Sequence, residues 1–194
     1  MHQFHRLTSK ISTWLAWAAG AVILFGCAVP IAIDVVSRAT LGRTIVESFE
    51  ISSYAFAACI GLGMGYTVSS KANIRVDILT AKLPRRLRLG FDMVAATAMA
   101  VTAVALAYYT FDVLAESWNL GARSQSTLQV PLILPQSLWW AGFVWFATVA
   151  CLTPLFAAAR LLARDPDGAE ALISNPDLMD EIKDIGIDVG EDTP

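Results

Sequence analysis

LWWAGFVWFATVACLTPLFAAA, residues 138–159, is an uncharged and largely apolar stretch of the chain. About 20 consecutive apolar residues in a helix cross the hydrocarbon core of a bilayer. Stretches of similar length, with no charged side chain near their middle, precede it at residues 11–33, 51–69 and 90–111. Because lipid offers the backbone no hydrogen-bond partner, each stretch has to pair its own N–H and C=O groups, as a helix does. The sequence therefore predicts an all-α integral membrane protein with four transmembrane helices.

The basic residues are unequally divided between the two sides of these predicted spans. One side carries ten Lys and Arg near the span ends, whereas the other side carries three, at Arg38, Arg43 and Arg123. Because short cytoplasmic loops are enriched in Lys and Arg, the pattern predicts that both termini are cytoplasmic. The external loops are then about 34–50 and 112–137. Aromatic residues near the span ends are interpreted as headgroup anchors: Trp14, Trp17, Tyr108, Tyr109, Trp118, Trp139 and Trp140.

The chain divides into two parts of unlike composition. Residues 1–164 are predicted to form the four-helix transmembrane domain. Residues 165–194 contain ten acidic residues and one Lys, with no aromatic residue. Acidic segments poor in large apolar side chains do not bury enough surface to fold, so a disordered cytoplasmic tail is predicted. A short helix at 178–182 that docks on a partner is the alternative.

The basic segment between the second and third spans has two interpretations. Val76, Leu79, Leu83 and Leu87 follow a helical spacing, with basic residues off that stripe. This pattern is typical of an amphipathic helix lying in the membrane interface. A solvated loop whose arginines set the orientation of the protein explains the same residues. Pro84 interrupts a continuous helix and suits the first turn of the next one.

The chemistry of most enzymes and carriers is missing from the spans. The carboxylates Asp34, Glu50, Asp92 and Asp112 lie at span ends, where they are expected to reach water or headgroups. A charged residue within a span would mark a transport or proton pathway. Three isolated cysteines and two amino-terminal histidines indicate neither a metal site nor haem nor a redox pair. We therefore predict no enzymatic activity, no cofactor and no nucleic-acid partner.

Small residues indicate where helices approach each other closely. Gly61 and Gly65 have the G-x-x-x-G spacing, which lets backbones come together in lipid. This close packing is predicted either within the chain or against a larger membrane partner.

Three local stretches resemble one family of membrane proteins. They are Glu47-Ser48-Phe49-Glu50-Ile51-Ser52-Ser53-Tyr54 followed by Gly61-Leu62-Gly63, Lys71-Ala72-Asn73-Ile74-Arg75-Val76-Asp77-Ile78-Leu79 followed by Leu83-Pro84, and Ser126-Thr127-Leu128-Gln129-Val130-Pro131. In this order, over residues 10–160, they resemble the small membrane subunit of TRAP transporters (tripartite ATP-independent periplasmic transporters), the DctQ type. The family often has histidine where this chain has Asn73.

The resemblance implies a function in a bacterial or archaeal inner-membrane complex. In such complexes a large membrane subunit carries the substrate with sodium ions, and a periplasmic binding protein delivers the substrate, usually an organic acid. The small subunit is implied to be a scaffold for the large one, embedded among membrane lipids. Two alternatives remain: a self-contained homo-oligomeric channel or carrier, and a non-catalytic membrane subunit of a redox complex.

Candidate contact residues follow from these implied partners. For the large subunit they are Glu50, Gly61, Gly65, Arg75 and Asp77. For the periplasmic binding protein they are Arg43, Glu47, Glu116, Arg123, Gln125 and Gln129. Each has a simpler explanation: Glu50 stabilises the start of its own helix, Arg75 binds lipid phosphate, and the external residues are exposed loop side chains.

Overall fold

The structure is a computed structural model that describes residues 2–71, 83–126 and 128–173, with residues 2–6 described by their backbone only. Its elements are α1 (His2–Ile23), a π-helical segment (Leu24–Ala28), α2 (Val29–Leu41), α3 (Ser48–Ser69), α4 (Arg85–Asn119), α5 (Ile133–Leu162) and α6 (Pro166–Ile173). These described ranges contain no β-strand, so the predicted all-α class is confirmed.

Four helical stretches are long and apolar enough to cross a membrane, as the sequence predicts. We call them spans 1 to 4: Leu7–Leu41, Ser48–Ser69, Arg85–Asn119 and Ile133–Leu162. Most extend well beyond the apolar stretch that predicts them. Hydropathy marks only the part of a helix that lies in hydrocarbon, whereas the helix itself continues through polar flanking residues.

Span 1 changes its helical pitch at the π-helical segment. Pro30 has no backbone N–H, so the helix cannot make the usual bond from this position to the carbonyl four residues back. One residue earlier, the N–H of Val29 donates to the carbonyl of Leu24, five residues back. The wider turn brings Gly26 against span 2, where a Cβ on Gly26 would lie 2.5 Å from the Cβ of Ala55. Span 1 therefore lies close against span 2 at its irregular turn.

The spans pack side by side in the order 1, 2, 4, 3. The main core lies between spans 3 and 4, where Phe143 and Phe146 are buried against Ala100 and Ala103. Lipid does not drive helices together by the hydrophobic effect, so small residues that permit close packing decide where they meet. The alanines of span 3 provide that surface for the aromatic rings of span 4.

Pro84 stands directly before span 3, which begins at Arg85. The N–H groups of Leu87 and Arg88 donate to the carbonyl of Pro84. This confirms the interpretation of Pro84 as the start of a helix. The amphipathic helix predicted around residues 76–88 falls largely on residues 72–82, which lie outside the described residues, as does the alternative helix at 178–182.

The tail begins with a helix that the sequence does not predict. The expectation of a tail without fixed structure is wrong for residues 166–173, which form α6. Asp165 accepts a hydrogen bond from the N–H of Gly168 at 2.9 Å, and Pro166 occupies the first helical position. An acidic cap followed by proline is a favourable helix start. Ala169 and Ile173 are buried, so α6 is fixed to the bundle by packing as well.

Candidate functional site

The described residues offer surfaces rather than an enclosed site. A cavity lined by Thr8, Lys71, Phe156 and Leu172, among others, has a volume of about 40 Å³. This is room for a few water molecules and too little for an organic solute. Within residues 2–71, 83–126 and 128–173, no cluster of His, Cys, Asp and Glu could hold a metal ion. The chemistry therefore lies at the two ends of the bundle. We call them the loop end, with residues 42–47 and 120–132, and the basic end, with Lys71, Arg85, Arg88 and Arg160.

At the loop end, Asp34 joins spans 1 and 2. Its carboxylate accepts hydrogen bonds from Arg38 Nε at 3.1 Å and Nη2 at 2.7 Å, and from Ser48 Oγ at 2.8 Å. The expectation that Asp34 reaches water is wrong, because the side chain is 4 % exposed. Span 1 continues as a helix to Leu41, which places Asp34 about two turns inside it. The two-pronged pairing with Arg38 compensates for the burial of this charge.

Asp92 departs from the expectation in the same way. It is 6 % exposed, on the face of span 3 that packs against the rest of the bundle. Span 3 begins at Arg85, two turns before Asp92. A carboxylate expected at the start of a span is therefore inside the helix.

Glu50 binds a loop of the chain itself. It lies in the first turn of α3, where negative charge is favourable. Its carboxylate accepts hydrogen bonds from the hydroxyl of Tyr54 at 2.6 Å and from that of Ser126. The sequence-based alternatives were a cation on the partner subunit and the helix start. The structure places Glu50 at its helix start and adds a contact with a residue 76 positions away.

Ser126 belongs to a turn that we call the 122–132 loop. Backbone bonds close it, from Ser124 N to Val130 O at 2.9 Å and from Leu132 N to Ala122 O at 3.0 Å. Two hydroxyls accept N–H groups inside the turn, Ser126 Oγ from Leu128 at 3.2 Å and Ser124 Oγ from Val130 at 3.1 Å. The described residues of the loop, 122–126 and 128–132, therefore have a hydrogen-bonded backbone although they contain no helix or strand.

The docking candidates for the binding protein all lie at the loop end. Five of them are exposed and one, Glu47, is half-buried: Arg43, Glu47, Glu116, Arg123, Gln125 and Gln129. Glu47 is the residue before α3. The structure thus brings two separate segments of the chain to the same end of the bundle, and these residues remain predictions for docking.

The partner-subunit candidates Gly61 and Gly65 are buried inside the chain. A Cβ on Gly61 would lie 2.8 Å from the carbonyl oxygen of Trp139, and one on Gly65 would lie 2.5 Å from the ring of Trp145. These glycines therefore pack spans 2 and 4 of the same chain together, which is one of the two alternatives that their spacing predicts. Arg75 and Asp77 lie outside the described residues.

Gly142 is the complementary residue that the sequence reasoning missed. A Cβ there would lie 2.3 Å from the carbonyl carbon of Gly61. Trp139 and Trp140 were interpreted as headgroup anchors, but both are half-buried in the bundle. The indole N–H of Trp140 donates to the carbonyl of Ala107 at 3.2 Å. A lone glycine next to two tryptophans in an apolar stretch is the signal that could have indicated this contact.

At the basic end, charged side chains hold α6 against the start of span 3 and against Lys71, which follows span 2. Glu170 accepts from Arg85 at 2.8 Å and from Arg88, and Arg85 also pairs with Asp167. Lys71 Nζ donates to the carbonyl of Ala171 at 2.8 Å. Burial opposes the charged form of Glu170, but hydrogen bonds from Arg88 and Arg85 outweigh it and hold the pKa of this carboxyl below its usual range.

Acidification is expected to release α6. A carboxyl whose folded-state pKa is depressed contributes stability above its ordinary pKa, and that contribution is lost as the pH falls through the folded-state value. The protection of residues 166–173 from hydrogen exchange, relative to the intrinsic rate at each pH, should therefore be high at neutral pH and fall below the ordinary range of a carboxyl group. Glu170→Gln should raise the exchange already at neutral pH. Equal exchange in the wild type and Glu170→Gln at neutral pH would show that packing alone holds α6.

Comparison with known proteins gives one family. The model described as "Tripartite ATP-independent periplasmic transporters, DctQ component" matches residues 27–161, which is 135 of the 194 residues. The match begins in the π-helical segment and ends near the end of span 4, so α6 lies beyond it. No curated protein matches, and no solved structure matches.

Proposed function

The chain belongs to the DctQ family, the small membrane component of TRAP transporters, and from this membership we propose that it braces the large membrane subunit during sodium-driven uptake of an organic acid. Proteins of this family work with a large membrane subunit and a periplasmic binding protein. We propose the same partners here, together with membrane lipids. The role is that of a scaffold, without catalysis and without a cofactor.

The densely packed, uncharged centre of the bundle is the observation that carries this proposal. Spans 2 and 4 meet backbone to backbone at Gly61 and Gly142. Phe146, at 2 % exposed, fills the space towards span 3. A carrier needs polar groups or broken helices around a site near the bilayer midplane. The described residues of spans 2, 3 and 4 instead pack tightly through small and apolar residues, which suits a rigid support.

The proposed orientation has the basic end in the cytoplasm and the loop end in the periplasm. The division of Lys and Arg between the two ends supports it. The protein is then a multi-pass protein of the inner cell membrane with both termini cytoplasmic. The docking candidates at the loop end face the periplasmic binding protein. The exposed apolar faces of the spans contact the large subunit and lipid in this proposal.

Co-purification tests the proposed partnership. The chain carrying a carboxyl-terminal tag is expressed at its natural level and extracted from native membranes in a mild detergent. We expect a much larger multi-pass protein to elute with it in a fixed ratio that survives a second purification step. A tagged four-span protein of another family provides the matched control. Elution as a homo-oligomer without a larger membrane protein would contradict the proposal and favour a self-contained channel.

A further inference from the structure

We propose that Glu50 is a positioning residue that fixes the 122–132 loop as a preformed docking element for the periplasmic binding protein. The docking half of this inference rests on the proposed function. The positioning half rests on the contacts of the carboxylate alone. The juxtaposition also joins two of the three stretches on which the family resemblance rests, the one that opens span 2 and the one that leads into span 4.

The hydrogen-bond donors and acceptors of the loop are arranged around the carboxylate of Glu50. A serine hydroxyl has one proton to donate and two lone pairs to accept with. The proton of Ser126 goes to Glu50, so its oxygen is left to accept, and it receives the N–H of Leu128. The hydroxyl of Ser124 lies 3.0 Å from that of Ser126, can donate to it, and accepts the N–H of Val130. The Glu50 carboxylate, which Ser124 also contacts, therefore fixes the direction of the bond from Ser126.

The loop needs such support because part of it adopts an unfavourable conformation. Gln129 has a φ of 44°, a left-handed conformation that costs a residue with a side chain free energy. Its N–H donates to the carbonyl of Ser126 at 3.2 Å. The residue anchored by Glu50 is thus the one that closes the strained turn. Without the carboxylate, the hydroxyl of Ser126 loses its hydrogen-bond acceptor, and the turn is no longer attached to span 2 through this residue.

The surface that the loop presents fits a folded protein with polar and acidic groups. Arg123, Gln125, Leu128 and Gln129 are exposed on it, and the described part of residues 120–132 contains no acidic residue. An apolar side chain among amides and one cation is typical of a protein contact rather than of lipid. A loop ordered in advance binds more tightly, because ordering it on contact costs free energy.

The test combines a measurement on the loop with a measurement on the complex. We make two variants in the full transporter, Glu50→Ala and Ser126→Ala. The matched control is Asp112→Ala, which removes the charge of an exposed acidic residue near the loop end of span 3. We expect both Glu50→Ala and Ser126→Ala to raise the hydrogen exchange of the backbone amides in the 122–132 loop. We also expect them to weaken binding of the periplasmic binding protein about tenfold. The double variant should add little to the effect of Glu50→Ala on the loop, since both single variants remove the contact between Glu50 and Ser126.

Several outcomes would overturn the inference. Unchanged exchange of the loop in Ser126→Ala, a variant that leaves α3 intact, would remove the positioning role. Faster exchange with unchanged affinity for the binding protein would remove the docking role. Loss of the large subunit from Glu50→Ala, with the loop still protected, would assign Glu50 to the subunit interface instead. If the wild-type complex binds no periplasmic protein, the proposed function fails, while the exchange measurement still decides the positioning role.

Discussion

Gly142→Ala is expected to destabilise the bundle by about 3 kcal/mol, the upper end of the usual cost of overpacking. The added methyl group would lie 2.3 Å from the carbonyl carbon of Gly61 and 2.7 Å from the N of Leu62. Both are backbone atoms, so no side-chain rotation relieves the clash and spans 2 and 4 have to separate. Denaturant titration in mixed micelles, followed by the fluorescence of the tryptophans of span 4, measures the loss.

Gly63→Ala is the matched control for this prediction. It adds the same methyl group to span 2, two residues from Gly61, where nothing lies within 4 Å. Replacing glycine by alanine within a helix is otherwise favourable by roughly 0.5–1 kcal/mol. The control should therefore be as stable as the wild type or slightly more stable. Similar stabilities of the Gly142→Ala and Gly63→Ala variants would show that the two spans do not meet at this point.

The four spans could be predicted because their signal is local. A window of apolar residues is sufficient to place a helix in lipid, and Pro84 fixes the start of the third one through its own backbone. The ends of the spans could not be predicted equally well. Span 1 runs on through Asp34 because Arg38 and Ser48 satisfy its carboxylate. This compensation depends on where span 2 begins, which a hydropathy pattern does not contain.

The candidate site could be predicted only in part, because its contacts join distant segments. The glycine spacing indicates that Gly61 lies at a close contact, but the partner could as well have been another subunit. Gly142 supplies that partner from the same chain. The contact between Glu50 and Ser126 likewise joins residues 76 positions apart. Each residue is recognisable as polar and external, whereas their meeting depends on the packing order of the spans.

The helix α6 could not be predicted from the sequence for a different reason. Its composition is acidic, and acidic composition predicts disorder when the charges have no partners. Arg85 and Arg88 supply those partners, and Ile173 adds a buried apolar contact. The same arginines indicate the membrane orientation in the sequence. The charge pattern of the sequence gives Arg85 and Arg88 a role in orientation only, whereas in the structure they also hold α6.

We propose that this chain supports transport without containing a pathway of its own. Its described spans pack tightly through uncharged centres, and the charged groups that it orders lie towards the two ends. A support of this kind should be essential to the complex and inactive alone. The effect of omitting it is therefore expected to be large, and it distinguishes a brace from a small carrier.

Uptake into proteoliposomes tests whether this chain is a supporting subunit or a carrier. Vesicles contain this chain alone, the co-purified large subunit alone, or both, and the binding protein loaded with an isotope-labelled organic acid is added outside under an inward sodium gradient. We predict uptake only in vesicles that contain both membrane proteins, and background levels in the other two. Sustained uptake by vesicles containing this chain alone would contradict the account, as would full activity of the large subunit without it.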